Sequence, residues 1–366
     1  MSLAILGTGT ALPGFPIDQA EALAIARSLA RPTEEQDTWL PDMYAGTRIE
    51  RRYLALPPEA IRDVLAGTRE SGSIWLPDGT PEDRGPSTGV RMKHYAELAP
   101  ALAIEAARKA LASAVCKPAA ITHLVTVSCT GFVAPGVDRE LILGLGLPPT
   151  VARTHVGYMG CHGALNGLRV ARAYAEADPT ARVLLVAVEL CSLHYFYSWN
   201  PQKMVANALF ADGAAALVAA ADGPGDAWRL AANGSALLPD SADAMTWTIG
   251  DNGFEMTLAR SVPGLIGKYL RPFLEEWLGT EELGVADVRS WAIHPGGPRI
   301  LQAVQTALGL TDEALEASYE TLAAHGNMSS PTLLFILRRQ QEKGAARPCV
   351  SLGFGPGLAV EAALWR

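Results

Sequence analysis

Charge is scarce in this 366-residue chain, at 19% of positions against roughly 25% in an average soluble protein. Neither sign dominates in the direction of a polyanion binder. Thirty Lys and Arg against 38 Asp and Glu leave a formal net charge of −8, which excludes nucleic acid and anionic lipid as partners on bulk electrostatics. Cysteine is thin as well. The five thiols, Cys116, Cys129, Cys161, Cys191 and Cys349, are odd in number and scattered, so they form neither a disulfide framework nor a C-x-x-C zinc pair; the expectation is reduced thiols in a cytoplasmic protein without a metal. Long apolar runs are missing too. The longest charge-free stretch, 118–137, contains two prolines and His123, which favours a strand and a loop over a membrane span. The opening Met-Ser-Leu-Ala-Ile-Leu-Gly lacks the basic and apolar regions of a signal peptide. Glycine and proline, 35 and 25 residues, fall short of a low-complexity chain. The length suits two to three domains, or one large duplicated domain.

Short Val-, Leu- and Ile-rich runs at Leu3–Leu6, His123–Ser128, Arg182–Val188, Ala214–Ala219, Ser290–Ile293 and Cys349–Leu352 predict strands buried on both faces. Helical periodicity occupies Ala96–Ala114 and Ala164–Ala177, the latter with Leu165, Leu168 and Ala171 on one stripe and Arg169, Arg172 and Glu176 on another. Strands alternating with helices indicate α/β layers. The segment Gly67–Gly89 has turn composition and predicts an inserted surface loop. A second punctuation, Asp-Gly-Pro-Gly-Asp at 222–226, separates two stretches of similar layout. Each has a strand, a loop and then a glycine-bounded turn that opens a helix, so the expected halves are 1–222 and 223–366.

In Gly160-Cys161-His162-Gly163 a cysteine sits between glycines just before an amphipathic helix. Free backbone N–H groups and the positive end of the helix dipole favour a thiolate there. An arbitrary cysteine is more often a small buried apolar side chain, and Cys116, Cys191 and Cys349 keep that assignment. His294 ends an apolar strand and is followed by Pro295-Gly296-Gly297-Pro298, a forced turn that would bare an imidazole able to handle the thiol proton. His94 and His123 read as structural, His162 and His194 as able to line a cavity. Asn327, in Gly326-Asn327-Met328-Ser329-Ser330, offers amide N–H donors at a helix start, either as a cap or as an oxyanion donor. The Cys, His, Asn set also describes papain-type proteases, whose cysteine lies near the mature N-terminus within a different local sequence. Gly7-Thr8-Gly9 lacks the third glycine of a dinucleotide fingerprint, so NAD is discarded.

Taken with Ala208-Leu209-Phe210-Ala211-Asp212-Gly213, Val262-Pro263-Gly264, Trp291-Ala292-Ile293-His294-Pro295-Gly296-Gly297-Pro298 and Gly353-Phe354-Gly355-Pro356-Gly357, these motifs resemble the type III polyketide synthases of the chalcone and stilbene synthase-like family, from end to end and in bacterial form. The resemblance implies the thiolase fold, five αβαβα layers from two duplicated halves. It implies a catalytic triad of Cys161, His294 and Asn327, with acyl-CoA and malonyl-CoA as partners and no metal or redox cofactor. Phe210 matches an aromatic gatekeeper, and Met256 stands where plant relatives usually have a second Phe. Cys129, His194, Trp247, Ser329 and Gly296 are expected at the substrate cavity, with Trp247 where Gly is common and His194 where a smaller residue is common. Arg48, Arg51 and Arg52, with Glu50 between them, fall where the family places its CoA-phosphate contacts. A homodimer is also implied, the segment 131–135 reaching towards the partner's cavity. The product expected is a pyrone or phenol of alkylpyrone or alkylresorcinol type. A malonyl-only naphthalene-tetrol-type synthase, a ketoacyl-carrier-protein synthase III and a non-catalytic acyl-CoA-binding protein are the alternatives.

Overall fold

A computed structural model describes residues 2–80 and 82–366. Its strands are β1 (Leu3–Ala11), β2 (Pro16–Asp18), β3 (Arg51–Tyr53), β4 (His123–Ser128), β5 (Ala152–Gly157), β6 (Arg182–Leu190), β7 (Asp212–Ala220), β8 (Arg229–Leu237), β9 (Met245–Gly250), β10 (Gly253–Leu258), β11 (Ser290–Ile293), β12 (Cys349–Gly355) and β13 (Ala359–Trp365). Nine of them form one sheet in the order β11-β12-β13-β8-β1-β7-β6-β4-β5, while β9 and β10 make a separate hairpin.

The run β1, β7, β6, β4 pairs antiparallel, antiparallel, parallel. Its counterpart β8, β13, β12, β11 repeats that series. The first strands of the two series meet antiparallel at Leu3 with Leu230 and Ala4 with Arg229. Only the first series carries an additional edge strand, β5, parallel to β4.

Burial on both faces explains the continuous apolar runs. In β6, Val183, Leu185 and Ala187 face the helices Gly163–Ala177 and Ser330–Glu342, while Leu184, Val186 and Val188 face the helix Thr88–Ser113. In β13, Ala363 and Trp365 point to the same central helices, whereas Val360, Ala362 and Leu364 face helices Val262–Gly279 and Pro298–Leu308. The result is five layers, with two helices buried between the sheet halves. Helix Ser330–Glu342 accordingly carries five consecutive buried apolar residues, Leu333 to Leu337, as a helix enclosed all round must. No helix among the described residues is long and apolar enough to cross a membrane.

The Gly67–Gly89 segment runs mostly over the surface, as its turn composition suggested, but it is anchored at Trp75–Pro77. The buried Asp63 carboxylate gathers the hydroxyls of Thr68 and Ser71 and the N–H groups of Glu70 and Ser71, which folds the loop back over buried Trp75 and Leu76. The following helix starts at Thr88, eight residues before Ala96, because Arg91 is buried and donates to the carbonyls of Pro86, Leu193 and Tyr195.

Candidate active site

Cys161 lies on a 3-10 turn, Gly160–His162, which runs directly into the central helix Gly163–Ala177. Gly160 is required here: its φ is +68°, and an added Cβ would stand 2.5 Å from Pro356. His294 follows β11, and its N–H donates to Leu352 of β12 at 2.8 Å. The imidazole is 1% exposed and neither ring nitrogen has a protein partner among the described residues. The turn after the strand therefore delivers the ring into a buried chamber. Asn327 joins the two halves: its N–H donates to Leu209 O at 3.0 Å and its carbonyl accepts from Ala211 N at 2.9 Å. Its Oδ1 accepts from Ser329 N at 2.8 Å, so the amide N–H groups are left for the chamber.

Cys161, His294 and Asn327 line one chamber with Phe210, Met256, Gly296 and Phe354. About 20 Å³ is free inside, roughly the space of one water. Leu209, Leu258, Gly296 and Ile300 are shared with a wider cleft of about 510 Å³, so the chamber opens outward through them.

Burial governs the charges. It pushes the Cys161 thiol up to about 11, although hydrogen bonds from Ser329 and Asn327 favour the thiolate. Burial, then neighbouring His162, brings His294 down to about 3. Desolvation thus opposes the thiolate that the helix start and the hydrogen bonds favour.

Cys129 directly follows β4, with Sγ 3.7 Å from Ser329 Oγ. Both are buried beside the nucleophile, beneath the chamber lining. Trp247 and His194 line a second pocket of about 30 Å³ behind Phe210 and Met256. Trp247 Nε1 donates to Cys129 O at 2.7 Å. His194 Nε2 donates to Thr130 O at 2.7 Å and Nδ1 accepts from Phe254 N at 2.9 Å, which fixes a neutral tautomer; burial lowers its pKa to about 3. The ring stacks on Phe254 at 4.3 Å and meets Trp247 edge-on at 5.6 Å. These three rings make a fixed wall. His162 is taken up by packing: Nδ1 bonds Asn166 Oδ1 at 2.7 Å, and the ring packs on Gly355, where a Cβ would come within 2.4 Å.

The basic cluster behaves differently from the expectation. Arg52 is 1% exposed and spends its guanidinium on the carbonyls of Asn207, Ala208 and Phe210 and on Gln19. It holds the gatekeeper segment from inside the protein, out of reach of a phosphate at the surface. Arg48 lies over Tyr319, and neither it nor Arg51 lines the cleft.

Sequence reading missed Glu189. Fully buried, it accepts from Cys129 N at 3.0 Å, Thr130 N at 3.1 Å, Thr130 Oγ1 at 2.7 Å and Ser330 Oγ at 2.7 Å. It binds the end of β4 to the turn that carries Asn327. Its signal was the lone charge inside the run Val183–Leu190. Burial raises its pKa against the pull of those donors.

A duplicated layered fold holding a cysteine, a histidine and an asparagine around one small chamber defines a thioester-condensing enzyme. The family model "Chalcone and stilbene synthases, N-terminal domain" matches residues 3–223, and "Chalcone and stilbene synthases, C-terminal domain" matches 229–366. The chain is 33% identical to the alpha-pyrone synthesis polyketide synthase-like Pks18 of Mycobacterium tuberculosis, over 99% of this chain and 90% of that one. It is also 33% identical to the 1,3,6,8-tetrahydroxynaphthalene synthase of Streptomyces peucetius subsp. caesius, over 98% and 91%. The crystal structure of PKS-I from the brown alga Ectocarpus siliculosus superposes with a TM-score of 0.89 at 32% identity, over 100% of this chain and 98% of that one. The chain belongs to the chalcone and stilbene synthase family. It is a type III polyketide synthase, an acyltransferase of thiolase fold.

Proposed function

We propose that Cys161 takes an acyl group from its CoA thioester and that His294 and Asn327 direct its extension by malonyl-CoA. As sulfur attacks the thioester carbonyl, neutral His294 accepts the thiol proton and returns it to the departing CoA thiolate. Malonyl-CoA then places its thioester carbonyl against Asn327 Nδ2–H and an imidazole N–H. Loss of CO₂ leaves an enolate whose oxygen meets these two donors, a stabilisation worth several powers of ten in rate. The enolate carbon attacks the Cys161 thioester and releases the sulfur, and the extended chain returns for another round or cyclises to a pyrone or phenol. The chemistry needs no metal or redox cofactor.

The convergence of a buried thiol, imidazole and carboxamide on one chamber, open to a cleft, carries this reading. Its test is incubation with radiolabelled malonyl-CoA and acyl-CoAs of increasing length, with products identified by mass. No CO₂ release and no extended product with any starter would sink it. Replacement of His294 by Ala is expected to suppress malonyl decarboxylation by about two to three powers of ten.

The fixed wall of Trp247, His194 and Phe254 favours a short starter, malonyl itself included, over the fatty acyl starter that the family resemblance suggested. We read residues 1–222 and 223–366 as the two duplicated halves, working in the cytoplasm, where CoA thioesters are found. Dimerisation is proposed across the β5 edge, beside which Phe132, Leu143, Tyr158 and Met159 are exposed. Sedimentation at a mass of 38.7 kDa at micromolar concentration would refute that.

A further inference from the structure

Arg91 is wholly buried, and its charge is met by backbone carbonyls and ring faces. Nε donates to the carbonyl of Pro86 at 2.7 Å, Nη1 to those of Leu193 and Tyr195, the latter at 3.1 Å, and Nη2 to that of Arg84 at 3.4 Å. The guanidinium lies 5.7 Å from the ring centres of Trp75 and of Tyr197. Burial lowers its pKa to about 10, which leaves it a cation at neutral pH. A desolvated cation is costly to keep, so what it grips is informative.

The two carbonyls that share Nη1 stand on either side of His194, at the end of the turn Cys191–His194. The same guanidinium backs Gly253, whose φ is +116° and where an added Cβ would stand 3.2 Å from Nε. Gly253 precedes Phe254, which donates its N–H to His194 Nδ1 at 2.9 Å and stacks on that ring. One turn earlier on the same helix face, Thr88 Oγ1 donates to Gly250 O and accepts from Gly253 N at 2.8 Å, while Thr88 N donates to Asp251 O at 2.8 Å. The first turn of helix Thr88–Ser113 therefore grips, from behind, both segments that carry the aromatic wall. One is the turn with His194; the other is the β9–β10 hairpin with Trp247 and Phe254. Arg91 and Thr88 themselves stand outside the pocket lining.

We propose that Arg91 is a positioning residue for starter choice: it fixes the carbonyls around His194 and the hairpin at Gly253 in one spacing, and so holds the His194–Phe254 wall where it leaves room for a short acyl group only. This rests on the proposed condensing reaction with an acyl-CoA starter. Lysine does not replace it, because one ammonium nitrogen cannot serve carbonyls in the directions that three guanidinium nitrogens reach.

The test compares R91K and T88V with a control, R229M, which removes an arginine at the start of β8 that likewise holds two carbonyls, those of Ala221 and Gly223. Acyl-CoAs of about two to ten carbons compete in one vessel with malonyl-CoA, and the products are resolved by mass. R91K should raise the use of long over short starters about tenfold, for room gained for two methylenes at up to roughly fourfold each. T88V should shift the profile the same way by about threefold, as one lost hydrogen-bonding side chain would, and it carries the test should R91K not fold. R229M should keep the wild-type profile whatever it loses in melting temperature. Amide hydrogen exchange reads the clamp without turnover. In the variants at 91 and 88, exchange at 191–196 and 250–256 should quicken, by about tenfold in R91K, while 160–166 stays within about twofold of wild type. A wild-type starter profile in both R91K and T88V, an equal shift in R229M, or unchanged exchange at both wall segments overturns the assignment. If the wild type extends no starter at all, the condensing reaction fails, and exchange at the wall segments alone decides whether Arg91 positions them.

Discussion

Replacing Trp247 by Gly tests whether the aromatic wall sets starter size. The indole is half-buried, holds Cys129 O at 2.7 Å and closes a pocket with only about 30 Å³ free. Its loss removes packing against His194 and Phe254 and leaves the Cys129 carbonyl to water. Complete Trp truncations in cores cost about 3–5 kcal/mol; for a half-exposed ring about 2–3 kcal/mol is appropriate, or a melting temperature lower by about 5 °C in a chain of this size. The vacated volume becomes available to an acyl tail, and each methylene buried there adds about 0.8 kcal/mol, up to roughly fourfold in kcat/KM. The wild type is expected to lose activity as the starter lengthens, and the variant to gain with length until the pocket is full. Competition between acyl-CoAs in one vessel, with products resolved by mass, reads the profile directly. If the length profile of the variant matches that of the wild type while its stability falls as expected, Trp247 is a packing residue and the short-starter reasoning is wrong.

Three further outcomes follow from the site. Alkylation of Cys161 by iodoacetamide should accelerate with pH up to about 11, where its thiol ionises; a plateau already reached near pH 6 to 7 would mean a resting thiolate–imidazolium pair. Glu189→Gln presents an amide N–H₂ to donors that now face a carboxylate, and should cost about 3 kcal/mol with loss of condensing activity. A melting temperature unchanged within a degree would contradict the clamp described between β4 and the Asn327 turn. Arg52→Lys loses the planar fork that holds three carbonyls and should lower stability by about 2 kcal/mol while KM for malonyl-CoA stays put; a raised KM instead would return Arg52 to the substrate.

Much of the architecture was legible because buried strands write short, unbroken apolar runs. His123–Ser128 and Ser290–Ile293 coincide with β4 and β11. Strands with other compositions were not visible. β5, Ala-Arg-Thr-His-Val-Gly, is a mostly exposed edge, and β13, Ala-Val-Glu-Ala-Ala-Leu-Trp, has the alanine and glutamate of a helix, overridden by pairing to β8 and β12. At the site, glycine-bounded turns singled out Cys161, His294 and Asn327, since such turns are local. Charge states depend on desolvation by distant segments, which pushes the Cys161 thiol up and the His294 imidazole down. The same holds for Arg52: TRIERRY reads as a surface cluster until the carbonyls of 207–210 are brought against it.

The strand that breaks the duplication has a consequence for assembly. The first series ends in β5, a six-residue edge, and the second stops at β11, four residues long. A molecule with two long free edges could add neighbours at both and grow without limit, as edge-to-edge aggregates do. With one such edge, the proposed self-pairing about a twofold axis would use it up and growth would stop at two. Had the second half kept a counterpart of β5, the same fold would tend towards fibres.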